Sequence, residues 1–106
     1  MSAAPLQQLR TAGLRIGGAD RPASDGATYP VANPATGAAV ARAADAGRED
    51  VARAVAAASA AFRAGTWRRT PAPQRGEVLA AAAERIEARA DELARLESLC
   101  SGKPIS

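Results

Sequence analysis

The sequence predicts an α/β chain in which a short region of strands and turns precedes two or three helices. Three observations carry this: extended pieces punctuated by Gly and Pro before residue 46, apolar residues at helical spacing after it, and helix start and stop signals at Gly47, Gly65 and Gly102. The chain divides accordingly into a flexible N-terminal tail over residues 1–13, extended strands and turns over 14–46, and a helical segment over 47–106.

In the extended region, Leu14-Arg15-Ile16 alternates apolar and polar before Gly17-Gly18, a strand entering a turn. Arg21 to Gly26 reads as loop. Thr28-Tyr29-Pro30-Val31-Ala32 is extended, because each Pro disfavours helix in the residue before it. Asn33-Pro34-Ala35-Thr36-Gly37 makes a turn: Pro presets φ, Asn can bond its own backbone, and Gly tolerates positive φ. Ala39 to Ala43 returns as a strand, completing a small sheet or hairpin with little side-chain mass to hold it alone.

In the helical segment, Gly47 serves as N-cap and Glu49 and Asp50 offset the positive helix end. Val51, Val55, Ala58 and Phe62 form one apolar stripe, Glu49 and Arg53 an acid-before-base pair, and Gly65 a stop. Trp67 lies in the connection as the largest anchor, and with Phe62 it is expected to hold much of the burial. Thr70 and Pro71 read as N-cap and first residue of a second helix through Leu79, Ala83 and Ile86. A break near Arg89-Ala90-Asp91, with Asp91 as cap, opens a third helix through Leu93, Leu96, Leu99 and Cys100, ended by Gly102 and Pro104.

Composition narrows the functional classes. A chain of 106 residues supports one modest core at most, and although 47% of residues are hydrophobic only three are aromatic, so alanine supplies most of the apolar content. Fourteen bases against eleven acids give a net charge of +3, but the thirteen arginines are scattered, the tightest group being Arg68-Arg69 with Arg75 nearby. No nucleic-acid partner is expected from such a distribution, and no membrane partner either, since the longest apolar run is only Val78 to Ala83. A single cysteine forms no internal disulfide. The first eighteen residues lack acids yet also lack the apolar core of a secretory signal; a cytoplasmic location is expected, with a mitochondrial leader as the second reading.

The ending Glu97-Ser98-Leu99-Cys100-Ser101-Gly102-Lys103-Pro104 is not a phosphate loop, because Glu97 stands at the first glycine position and Pro104 replaces the required Ser or Thr. No two glycines are separated by one residue, so the dinucleotide fingerprint is missing from this stretch. With no histidine, Cys100 has no partner base; on an apolar stripe it reads as a small buried filler. Glu84, Glu87, Asp91 and Glu92 fall on helix surfaces, where solvation and Arg pairing account for them. No catalytic, cofactor-binding or metal residue is assigned.

The order of Asn33-Pro34-Ala35-Thr36-Gly37, the Asp50-Val51 to Ala61-Phe62 spacing, Trp67, Arg75, and Glu92-Leu93 through Leu96-Glu97 to Gly102-Lys103-Pro104 closely resembles the N-terminal region of the NAD(P)-dependent aldehyde dehydrogenase superfamily, from about Leu14 to Ser106. The resemblance implies a Rossmann-like cofactor domain, of which this is the N-terminal part, in an enzyme several times longer that also has a catalytic domain and an oligomerisation hairpin. There a cysteine attacks the aldehyde carbonyl, hydride passes to NAD or NADP, and a glutamate-activated water releases the carboxylic acid. Those residues fall beyond Ser106, so this chain alone is expected to be inactive, binding no cofactor, with the remainder of the parent enzyme as partner and the parent a homo-oligomer. Cys100 stands where many relatives carry an acid that helps line a monovalent-cation site with the turn matching Val31-Ala32-Asn33, so no ion ligand is assigned. The alternative is a standalone helical interaction module without enzymatic activity.

Overall fold

The computed structural model describes Arg10 to Ile105. Most of the expected tail, residues 1–9, lies outside the described residues. Five strands come first: β1 (Thr11–Ala12), β2 (Leu14–Ile16), β3 (Ala19–Arg21), β4 (Thr28–Ala32) and β5 (Ala39–Ala44). Four helices follow: α1 (Arg48–Ala64), a short α2 (Thr66–Arg69), α3 (Ala72–Glu87) and α4 (Ala90–Ser101).

Strands β2 and β3 form a hairpin across Gly17-Gly18, whose φ of 60° and 80° give the turn that matches strand twist. The other sheet has the order β1-β5-β4, with β5 central, parallel to β1 and antiparallel to β4. Asp45 N–H donates to the Ala27 carbonyl at 2.8 Å. In the observed register, Ala27, Tyr29 and Val31 therefore turn their backbone groups toward β5, and Thr28, Pro30 and Ala32 turn theirs to the open edge. Pro30 thus loses no ladder bond, and its missing N–H blunts the edge against further pairing.

Two strands depart from the sequence reading. Thr11–Ala12 falls in the stretch read as tail; it pairs with Arg42 and Ala43, thirty-one residues away, so no local pattern announces it. Arg21, read as the start of a loop, instead ends strand β3 with Ala19 and Asp20; Ala-Asp-Arg has no β-branched or aromatic residue to announce a strand, and the Gly-Gly turn brings it onto β2.

Gly65 closes α1 with φ 66°, its N–H reaching the Ala61 and Phe62 carbonyls. Thr70 does not cap α3. Its hydroxyl donates instead to the Thr66 carbonyl at 2.8 Å, and Pro71 is the residue preceding the helix, one place later than expected. Likewise Arg89, not Asp91, precedes α4; the bidentate contact of Arg89 with Glu92, at 2.7 and 2.9 Å, fixes that junction and leaves Asp91 in the first turn. Gly102 ends α4 with φ 76°.

The elements do not close around a core. Ala23 is the one buried apolar residue among those described, and no large side chain is fully buried. The radius of gyration is 17.6 Å, against about 13 Å for a compact domain of this length. The accessible surface is 8354 Å², where a compact monomer of 10.7 kDa exposes about 5,500 Å².

A close approach holds the end of α4 to the β4–β5 turn: a Cβ built on Gly102 would lie 2.9 Å from Pro34 Cγ. Gly37 shares the left-handed backbone, at φ 73°, but has no neighbour within 4 Å. Gly37→Ala should cost about 1–2 kcal/mol from backbone strain alone. Gly102→Ala should cost more, because the proline ring cannot yield as a flexible side chain would. Denaturant melts of the two variants compare them directly, and equal losses would mean that the α4 end swings freely off Pro34.

Candidate functional site

Two features organise the molecule: a buried carboxylate, and apolar stripes exposed on three helices. Asp50, in the first turn of α1, is only 3% exposed. It accepts the Gly47 N–H at 3.0 Å, closing the start of its own helix, and the Ser24 N–H at 3.1 Å to both oxygens. The Ser24 hydroxyl donates to it as well, at 3.2 Å. The carboxylate therefore ties the loop after β3 to α1. The Ser24 N–H, then the Gly47 N–H, hold its carboxyl below the ordinary value of 3.8.

Beside it, between the β2–β3 hairpin and α1, lies a cavity of about 250 Å³ lined by Ile16, Gly17, Arg21, Pro22, Arg53 and Ala57. Asp50 faces a pocket, but its lone pairs are already engaged by backbone and hydroxyl donors. A carboxylate held this way is a structural clamp and a poor proton carrier.

The residues weighed for chemistry lie apart from this knot. Cys100 is exposed on α4, which corrects its reading as a buried filler: no neighbouring element covers that side of the helix. Glu84, Glu87, Asp91 and Glu92 are exposed, and Arg89 draws the Glu92 carboxyl below its usual range. Among the described residues no three His, Cys, Asp or Glu side chains converge as a metal site would require.

Nor do the residues present fit a dinucleotide. Its pyrophosphate would need free N–H groups at a helix start. The start of α1 is filled by Asp50, α3 begins with Pro71 and carries Pro73 in its first turn, and α4 opens with Asp91 and Glu92. The start of each of these three long helices is thus neutralised, short of donors, or acidic.

The apolar residues that form the sequence's helical stripes point outward. Val51, Val55 and Phe62 on α1, Val78, Leu79 and Ile86 on α3, and Leu93, Leu96 and Leu99 on α4 are all exposed. Phe62 is 73% and Trp67 48% exposed, so neither ring anchors this chain as expected. The stripes were legible from spacing, but what covers them was not. The Asp50–Ser24 link had no local signal either, since its partners are 26 residues apart.

Residues 21–106 match the aldehyde dehydrogenase family, and the chain belongs to it. The aminoacetaldehyde dehydrogenase of Pseudomonas aeruginosa is 50% identical over 91 residues, covering 85% of this chain and 18% of that protein. The mitochondrial benzaldehyde dehydrogenase of Antirrhinum majus is 41% identical over 91 residues, covering 86% of this chain and 17% of that one. Among solved structures, the NAD-dependent aldehyde dehydrogenase of Sinorhizobium meliloti superposes with a TM-score of 0.86 at 34% identity, over 97% of this chain and 21% of that structure. A betaine aldehyde dehydrogenase of Staphylococcus aureus, solved with NAD+, gives 0.76 at 31%, over 89% and 18%. The chain therefore spans roughly a fifth of these relatives, and its fold is the N-terminal α/β part of their Rossmann-like architecture. No helix among the described residues is long and apolar enough to cross a membrane.

Two outcomes follow from these surroundings. Because the folded carboxyl of Asp50 titrates below 3.8, its stabilising effect is complete above that value and is lost as pH falls through the depressed one. Thermal melts should fall more steeply below about pH 4 for the natural chain than for Asp50→Asn, which should already be less stable at neutral pH; identical pH profiles would refute the clamp. Phe62→Ala in this chain should cost less than about 1 kcal/mol, because the ring is exposed and Arg68 lies over it at 5.7 Å, instead of the 3–5 kcal/mol of a packed core.

Proposed function

We propose that this chain supplies the N-terminal part of an aldehyde dehydrogenase that oxidises an aldehyde to a carboxylic acid with NAD as cofactor, and that it is inactive alone. The observation that carries this is the set of exposed apolar stripes on α1, α3 and α4 in a chain exposing 8354 Å². Family membership supports an enzyme of greater length to cover it.

In this reading the helices pack on sheet strands contributed by the remainder of the enzyme, which also brings the nucleophile, the base and the dinucleotide site. This chain's own residues contribute surface and rigidity: Asp50 locks the strand region to α1, and the helical stripes set the docking plane. NAD rather than NADP is proposed because the Sinorhizobium meliloti and Staphylococcus aureus structures are described with NAD. A homo-oligomeric parent and a cytoplasmic location are proposed with it, although the Antirrhinum majus relative is named mitochondrial. A standalone helical module would have to close its own stripes, and these stay open.

The 106-residue chain incubated with NAD+, NADP+ and a panel of aldehydes should form no reduced nicotinamide above a blank. Turnover by the isolated chain would overturn the proposal. Leu96→Ala separates free surface from docked surface. It should cost under about 1 kcal/mol in the isolated chain and about 2–5 kcal/mol in the longer enzyme, where the leucine is covered. Equal losses in both would mean that α4 docks on nothing.

A further inference from the structure

We propose that the corner where α1 meets α2 is a receptor for carboxylates, and that its occupant is an acidic segment of the remainder of the enzyme; this rests on the function proposed above. Between Asp50 and Glu77 the chain contains five arginines and no acid. Arg53 is engaged by Glu49. The other four are Arg63, Arg68, Arg69 and Arg75, and among the described residues none of them has a carboxylate within 4.0 Å.

Geometry brings two of these charges together. The guanidinium groups of Arg68 and Arg69 converge over Gly65, where a Cβ would stand 3.2 Å from Arg68 Nη2 and 2.8 Å from Arg69 Nη1. Two like charges this close repel, and the α1 C-terminal carbonyls offset this with only partial negative charge, so a carboxylate beside them would be favoured. Arg68 also lies over the Phe62 ring. Arg75, early in α3, keeps its Nε out of solvent with no acceptor. A buried donor left without a partner is uncommon in folded proteins.

The composition favours protein over nucleic acid as the occupant. Arginine forks match carboxylates in bidentate pairs, and Arg and Trp together are typical of buried interface centres; Trp67 is half-exposed beside Arg68. A nucleic-acid track would need a longer basic groove with several stacking rings. The opposite half of the helical segment has the opposite sign: residues 77–97 hold six acids against three arginines.

The test uses the longer enzyme with Arg68→Lys, which keeps the charge and adds an amine. Carbodiimide treatment followed by peptide mass mapping should link residue 68 to an Asp or Glu beyond residue 106. The double variant Arg68→Glu/Arg69→Glu should lower the melting temperature, and the difference should shrink toward about 1 M salt. Overturning results are no cross-link, a cross-link only to acids of residues 77–97, or salt-sensitive retention on DNA or RNA that the double variant abolishes. Aldehyde oxidation by the same enzyme is scored separately. Activity without the cross-link sinks the receptor alone, whereas absence of activity sinks the functional reading beneath it.

Discussion

Side-chain size governs this chain. A helix holds its place in a protein chiefly by burying an apolar face, and the free energy gained scales with the area removed from water. Here the helices are rich in alanine, and their few large residues, from Val51 to Leu99, project away from the strands. Alanine permits close approach and good helix formation but removes little area. The helices therefore form on local grounds, through caps and pairs such as Glu49–Arg53 and Arg89–Glu92, while the assembly remains open.

Against that background the Asp50 knot has an outsized role. Without an apolar core between strands and helices, a polar link must carry the register between them. One carboxylate accepting two backbone N–H groups and a hydroxyl meets that need, because it satisfies a helix start and a loop at once. The β2–β3 hairpin then rests on α1 where Gly17 meets Ala57, with 3.9 Å between a built Cβ and the alanine methyl. The contact at Pro34 does the same at the far end, joining the α4 terminus to the sheet's turn.

What the sequence made legible follows from range. Features fixed within a few residues were readable: Asn33 bonding the Ala35 N–H, Gly65 and Gly102 in the left-handed region, the strand at Leu14–Ile16. Features fixed at a distance were not. Strand β1 exists because β5 accepts it, Asp50 is buried because Ser24 closes over it, and Cys100 is exposed because nothing here reaches it. The boundary errors at Thr70 and Asp91, of one and two residues, have a related cause. Each residue had a plausible capping side chain, but a competing contact, Thr66 carbonyl or the Arg89–Glu92 pair, took the position first.

The same preference for local satisfaction governs the helix starts. Helix starts are the natural anion sites of an α/β protein. In this chain all three long helices spend their starts on internal stability: a carboxylate clamp, a proline-rich entry and an acidic first turn. A helix cannot offer the same N–H groups to its own aspartate and to a pyrophosphate. What these helices present instead is a set of exposed apolar stripes and, between Asp50 and Glu77, a run of arginines with no acid.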